Sequence, residues 1–149
     1  MADRAPNPTG IDVIDRHTSE LIELAIAADP GAPVPTCGDW TMADLVWHLT
    51  EVQDFWAWAI AHRPAGPDEY VEPIRPPDAE LPDALRTRCR HLLDALADAN
   101  ADEPAWSWSD DHTVGFTLRR QSHEALVHRI DGELAAGRTI PTVPAGLAA

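Results

Sequence analysis

Lysine is absent from this chain: the eleven basic residues among its 149 are all arginine, set against 25 acidic ones. The resulting formal charge of −14 argues against nucleic acid and anionic membrane surfaces as partners, since both repel a polyanion. Arginine in place of lysine, beside frequent alanine and proline, matches the residue usage of a GC-rich genome. Long apolar runs are missing too. Nothing approaches the ~18 residues that read as a membrane span. The opening MADRAPNP has neither the basic nor the apolar region of a secretory signal. These absences lead to the expectation of a cytoplasmic protein. Cysteine is scarce, with Cys37 and Cys89 far apart and no C-x-x-C pair. In a reducing compartment they read as free thiols rather than a disulfide, and neither has a base beside it in sequence to make it a nucleophile. Credible strands are lacking as well, which leaves an all-α fold.

What is present is helical periodicity, in a length that suits one domain with a working core. From Thr9 to about Ala28, Ile11, Ile14, Leu21, Ile22 and Ala25 recur at helical spacing until Asp29-Pro30-Gly31 stops the run. His17 of this first helix is expected at the surface or boundary. The Pro- and Gly-rich segment Asp29–Asp39 reads as an extended connection. Thr41 then offers an N-cap, with Asp44 completing a capping-box arrangement. Met42, Leu45, Leu49, Val52, Trp56 and Ala59 carry the second helix to about His62. Five prolines make Arg63–Pro77 a long loop. The third helix runs from about Asp78 to Ala99, with Leu81, Leu85, Leu92, Leu93 and Leu96 inward. Its Arg86, Arg88, Arg90 and His91 read as a solvated face.

A second long loop, Asn100–Gly115, is dense in Trp and Asp. Trp106 and Trp108 share a face in extended backbone; they either cover an end of the bundle or wall a pocket. His112 sits in that loop, which is a poor place for a rigid ligand. The fourth helix spans about Phe116 to Ala136 and ends at Gly137 as a C′ residue. Its apolar stripe is read as Phe116, His123, Val127, Ile130 and Leu134. Residues 1–8 read as frayed and the segment from Arg138 as an ending or linker. Four helices of about twenty residues with long connections make a four-helix bundle.

Function is read from three residues. Glu124 and His128 stand at i,i+4, about 40° apart around a helix, so one metal ion can be reached by both. His48 supplies a third ligand from a facing helix. Two His and one carboxylate with a position left open is the composition of a catalytic metal site rather than a closed structural one. His123 and Glu124 also begin an H-E-x-x-x-H run, but at i,i+5 its two histidines point about 140° apart and cannot chelate together. Asp131, near one turn past His128, is placed to orient that imidazole, and Arg120 to pair with Glu124. Taken singly, each of these side chains reads as an ordinary packing or surface residue; together they read as a site. Zinc, iron, nickel and manganese all accept such a donor set.

The stretches CGDWTMADLVWHLTEVQDFW and PAWSWSDDHTVGFTLRRQSHEALVHRIDGELAAG, about a third of the chain, resemble the mycothiol-dependent maleylpyruvate isomerase family, through its metal-binding N-terminal domain in the DinB-like superfamily. The resemblance implies a DinB-like four-helix bundle over residues 1–140, with 141–149 a tail or truncated linker. It implies a divalent metal, zinc by preference, on His48, Glu124 and His128, and mycothiol as the thiol cofactor of an actinobacterial enzyme. A metal-activated thiolate would attack a small electrophilic substrate such as maleylpyruvate, allow rotation about the new single bond, and leave as the trans isomer forms. Relatives continue into a second domain that helps close the active site, whereas this chain stops soon after the fourth helix. A metal-binding bundle that lacks catalysis and acts as a binding module is therefore the alternative, and a purely structural bundle a third. Oligomeric state stays open, a homodimer included.

Overall fold

The structure is a computed structural model that describes residues 9–138; the readings made for residues 1–8 and for the tail beyond position 138 lie outside it. It holds four α-helices: α1 (Gly10–Ala27), α2 (Met42–Ala61), α3 (Leu81–Ala97) and α4 (Val114–Ala135). Among the described residues there is no strand, only two isolated bridges, Pro33 with Thr41 and Pro104 with Thr113. The fold is an all-α four-helix bundle with long connections, as the periodicity leads one to expect.

Helices α1, α2 and α4 start where their capping chemistry dictates. Thr9 and Thr41 form capping boxes with Asp12 and Asp44, and Thr113 accepts the Phe116 amide. Thr113 therefore starts α4 two residues before the expected Phe116. Thr41 and Thr113 have the extended backbone an N-cap requires, which lets each also serve as a bridge partner. At the far end of α4, Gly137 takes φ 72°. Its amide donates to Leu134 O and that of Arg138 to Glu133 O, so a Schellman turn closes the helix.

Helices α1 and α2 each pack against both α3 and α4, which places α1 diagonally across from α2. The second half of α1, the first half of α2 and the start of α3 share one apolar cluster around Leu21, Leu45, Leu49, Leu81 and Leu85. Hence α2 and α3 run parallel to each other and opposite to α1. Helix α4 follows α1: Gly10 lies beside Leu118 and Gly132 beside Leu21. Two parallel neighbours in sequence need a connection that returns the length of the bundle. The Pro-rich segment 62–80 provides it, running back along α2 with Tyr70 on Asp54 at 2.7 Å and Arg75 on Asp44 at 2.8 Å. A helix of twenty residues is about 30 Å long, within reach of that many extended residues.

A second apolar cluster, around Ile14, Trp56, Ile60, Leu92, Leu96 and Val114, fills the other end. Between the two lies a buried polar layer: Thr18, Thr50, Gln53, Thr117 and Gln121. Gln53 Nε2 donates to Thr18 Oγ1 at 2.9 Å, and the Thr50 hydroxyl to Val46 O at 2.7 Å.

Four sequence expectations fail here. His17 is buried, because positions 17 and 18 continue the face of Val13, Ile14, Leu21 and Ile22. It packs near Glu20 and the buried Arg129 of α4. The stripe assigned to α4 is also wrong. Val127 is half exposed, and Phe116, His123, Ile130 and Leu134 are only half-buried. The buried positions of α4 include Gly115, Thr117, Gln121, Ser122, Ala125, Arg129 and Gly132. Small and hydrogen-bonding residues let α4 approach α1 closely, so its inner face carries little apolar signal. On α3, Leu93 is half-buried rather than inward, and Arg88, expected on a solvated face, pairs with Asp54 at 3.0 Å.

Candidate metal centre

Helices α2 and α4 are antiparallel neighbours, and the groove between them is a cavity of about 480 Å³. From α2 come His48, Val52 and Trp56, spaced by four; from α4 come Gln121, Glu124 and His128, spaced by three and four. Each set is one helix stripe. Arg120 and Trp108 complete the wall.

The structure brings His48, Glu124 and His128 together: one donor atom from each lies within 4.8 Å of the others. The rings of His48 and His128 meet edge to face with centroids 4.9 Å apart, and Trp40 also packs on His48, its ring tilted and its centroid 4.9 Å away. Glu124 Oε2 is 3.1 Å from His128 Nε2. A tetrahedral ion with bonds of about 2.0–2.1 Å holds its donors roughly 3.3 Å apart, so this pair stands close to the separation a metal requires. The donor set of two imidazoles and one carboxylate fits a divalent cation.

The electrostatics follow from partners. Burial pushes the His48 imidazole below its ordinary pKa, with the neighbouring His128 adding to this and Glu124 opposing it. Its lone pair is therefore kept free. For His128, burial works downward, but the hydrogen bonds and charges of Glu124 and Asp131 outweigh it and raise the pKa. Both ring nitrogens face carboxylate oxygens at 3.1 Å, which favours the protonated ring in metal-free protein; a cation on Nε2 would take the place of that proton, with Nδ1–H still donating to Asp131. The same bond from His128 holds the Glu124 carboxyl below its usual range against the effect of burial, with Arg120 assisting at 2.7 Å.

Support comes from beyond the trio. Asp131 Oδ2 accepts from His128 Nδ1, and its Oδ1 accepts from the Thr36 hydroxyl at 2.6 Å. A chain of hydrogen bonds thus runs from the α1–α2 loop to the imidazole. Asp131 and Arg120 stand where the sequence places them. Thr36 was not foreseen, since a Pro-rich loop has no periodicity to mark it. Gln121 was also missed, although its spacing of three from Glu124 is the signal that would have found it.

The remaining candidates divide. Trp106 packs into the second apolar cluster and covers it. Trp108 is 60% exposed, packs with its ring tilted 5.2 Å from that of Trp56 and walls the cavity, with Arg120 6.0 Å over its ring. Covering and walling are thus split between the two. His112 is exposed and apart from the trio. Cys37 and Cys89 are free thiols, both raised in pKa by burial, Cys89 to about 11. Neither suits a nucleophile at neutral pH.

Residues 12–132 match the family model described as mycothiol maleylpyruvate isomerase N-terminal domain. No curated protein and no solved structure matches the chain.

Proposed function

The chain belongs to the mycothiol maleylpyruvate isomerase N-terminal domain family, and from that membership we propose a divalent-metal-dependent, thiol-using isomerase or transferase centred on His48, Glu124 and His128. The observation that carries this reading is the meeting of those three donors at a cavity between α2 and α4. Zinc is the metal of choice, mycothiol the thiol, and a conjugated cis-alkene such as maleylpyruvate the substrate.

A divalent ion held there supplies one thing, a lowered thiol pKa that makes thiolate available at neutral pH. The protein's own groups do the rest. His48 and His128 offer imidazole nitrogens and Glu124 a carboxylate oxygen, while Asp131 fixes the tautomer and tilt of His128 through Nδ1. Val52, Trp56 and Trp108 wall the groove and exclude water from the reacting carbon. Arg120 lies on the same wall and pairs with the Glu124 carboxylate at 2.7 Å.

A thiol bound there would supply a nucleophilic sulfur that adds reversibly to the conjugated alkene. With the displaced π pair on the carbonyl the former double bond would be free to rotate, and expulsion of the same sulfur would restore the alkene as its trans isomer with the thiol unchanged.

Elemental analysis of protein purified without chelator tests the site. About one equivalent of metal is expected in the wild type, lost in both His48→Ala and His128→Ala, with conversion of maleylpyruvate that depends on added thiol. Metal without thiol-dependent conversion would reduce the protein to a binding module. No metal after reconstitution with zinc, nickel or iron would remove the proposal.

A further inference from the structure

We infer that Gln121 recognises the body of the thiol: its carboxamide pairs with an amide group of a small cysteine-based thiol whose sulfur is taken at the His48–Glu124–His128 end of the cavity. This rests on the thiol-using reading above and names the ligand chemistry that the site selects.

Gln121 is 1% exposed, and neither its Oε1 nor its Nε2 has a hydrogen-bond partner among the described residues. An amide buried in that state is unfavourable by comparison with a leucine of similar size. Gln53 Oε1 and Thr117 Oγ1 are also unpartnered in the same polar layer, but their residues do not line the cavity, whereas Gln121 does. Gln53 moreover has Thr18 as a partner through Nε2. No hydrogen bond holds the Gln121 carboxamide in its resting place, so turning it about its side-chain torsions toward the cavity forfeits none.

Register sets the distance. Gln121 precedes Glu124 by three residues on the same stripe, a rise of about 4.5 Å along the helix. In a cysteine-derived thiol only two carbons separate the sulfur from the amide carbonyl, so a sulfur beside Glu124 brings that amide to the height of Gln121. Chemistry sets the group. A carboxamide presents an acceptor and donors side by side, and its full complement is another amide. A carboxylate offers acceptors alone and would meet Glu124 in the same cavity, whose Arg120 is already paired with it at 2.7 Å.

The test uses the full chain loaded with cobalt(II), titrated with neutral N-acetylcysteine methylamide and with 2-mercaptoethanol, and read by the sulfur-to-cobalt charge-transfer band. Wild-type protein is expected to bind the amide thiol about tenfold more tightly, the worth of one or two hydrogen bonds. Gln121→Leu and Gln121→Met should lose that preference, keep their affinity for 2-mercaptoethanol and their cobalt content, and melt at a higher temperature. Equal loss of both thiols, or unchanged binding of the amide thiol in both variants, would overturn the role of Gln121 while leaving the thiol reading intact. A cobalt-loaded wild type that binds neither thiol would overturn the thiol reading and this inference with it.

Discussion

At the scale of single residues, the proposed centre has side chains around it that would not themselves touch an ion. Asp131 is held from both sides, accepting from Thr36 at 2.6 Å and from His128 at 3.1 Å. Partners of this kind commonly contribute 10- to 100-fold to metal affinity. Asp131→Asn should therefore weaken zinc binding by about that factor, and Thr36→Val by a smaller one, measured by competition with a chromophoric chelator. Both variants should keep the far-ultraviolet circular dichroism of the wild type. Unchanged affinity in Asp131→Asn would show that His128 needs no orienting partner. Asp131 was legible in the sequence because it shares a helix with His128 and falls near one turn from it. Thr36 was not, since nothing local relates position 36 to position 131; only the folded α1–α2 loop does.

Among the elements, α4 is where sequence and structure diverge most. Its Gly137 stop and its Glu124–His128 stripe follow from spacing, but its start was read two residues late because the Thr113 cap was missed, and its inner face was misassigned to Val127 and its neighbours. Hydrophobicity cannot mark a face whose contact is made by absence of bulk. Gly132 shows this: a Cβ there would lie 2.5 Å from Leu21 Cδ1, with Leu24 and Leu45 also near. In Gly132→Ala, a gain of roughly 1 kcal/mol in helix propensity opposes overpacking of about 1–3 kcal/mol. Leu21 is fully buried and has little room to yield. Overpacking should win by about 1 kcal/mol in urea denaturation. Because His128 lies one turn away, the same variant should bind zinc more weakly than wild type. A variant more stable than wild type would show that α4 can retreat without strain.

For the whole molecule, the number and order of helices and the long connections were legible, because apolar spacing, capping residues and Pro- or Gly-rich breaks together mark where helices begin and end. The directions were not, since the parallel pairing of α2 and α3 depends on where the 62–80 segment lies. The burial of His17 belongs to this scale too, for it arises only when α1 meets α4. Burial and the neighbouring Arg129 lower its pKa below 6.5, with Arg16 acting the same way and Glu20 opposing. The folded state thus favours the neutral ring. Its contribution to stability is whole above pH 6.5 and is lost as pH falls from there through the lowered folded value. His128, raised, has the opposite slope in metal-free protein. The share of His17 is therefore read as a difference: His17→Gln should flatten the fall in melting temperature between pH 7 and pH 5 relative to wild type. Parallel curves would show that His17 does not titrate with folding.

The antiparallel contact between α2 and α4 has one more consequence, for the entropy of the chain. His48 and Glu124 are joined through about half the polypeptide, including the whole return segment and α3. Anything that grips both side chains at once ties that long loop shut, as a disulfide would, and does so reversibly. Occupancy of the groove thereby becomes a latch on the entire bundle, and its strength is tied by linkage to that of the fold.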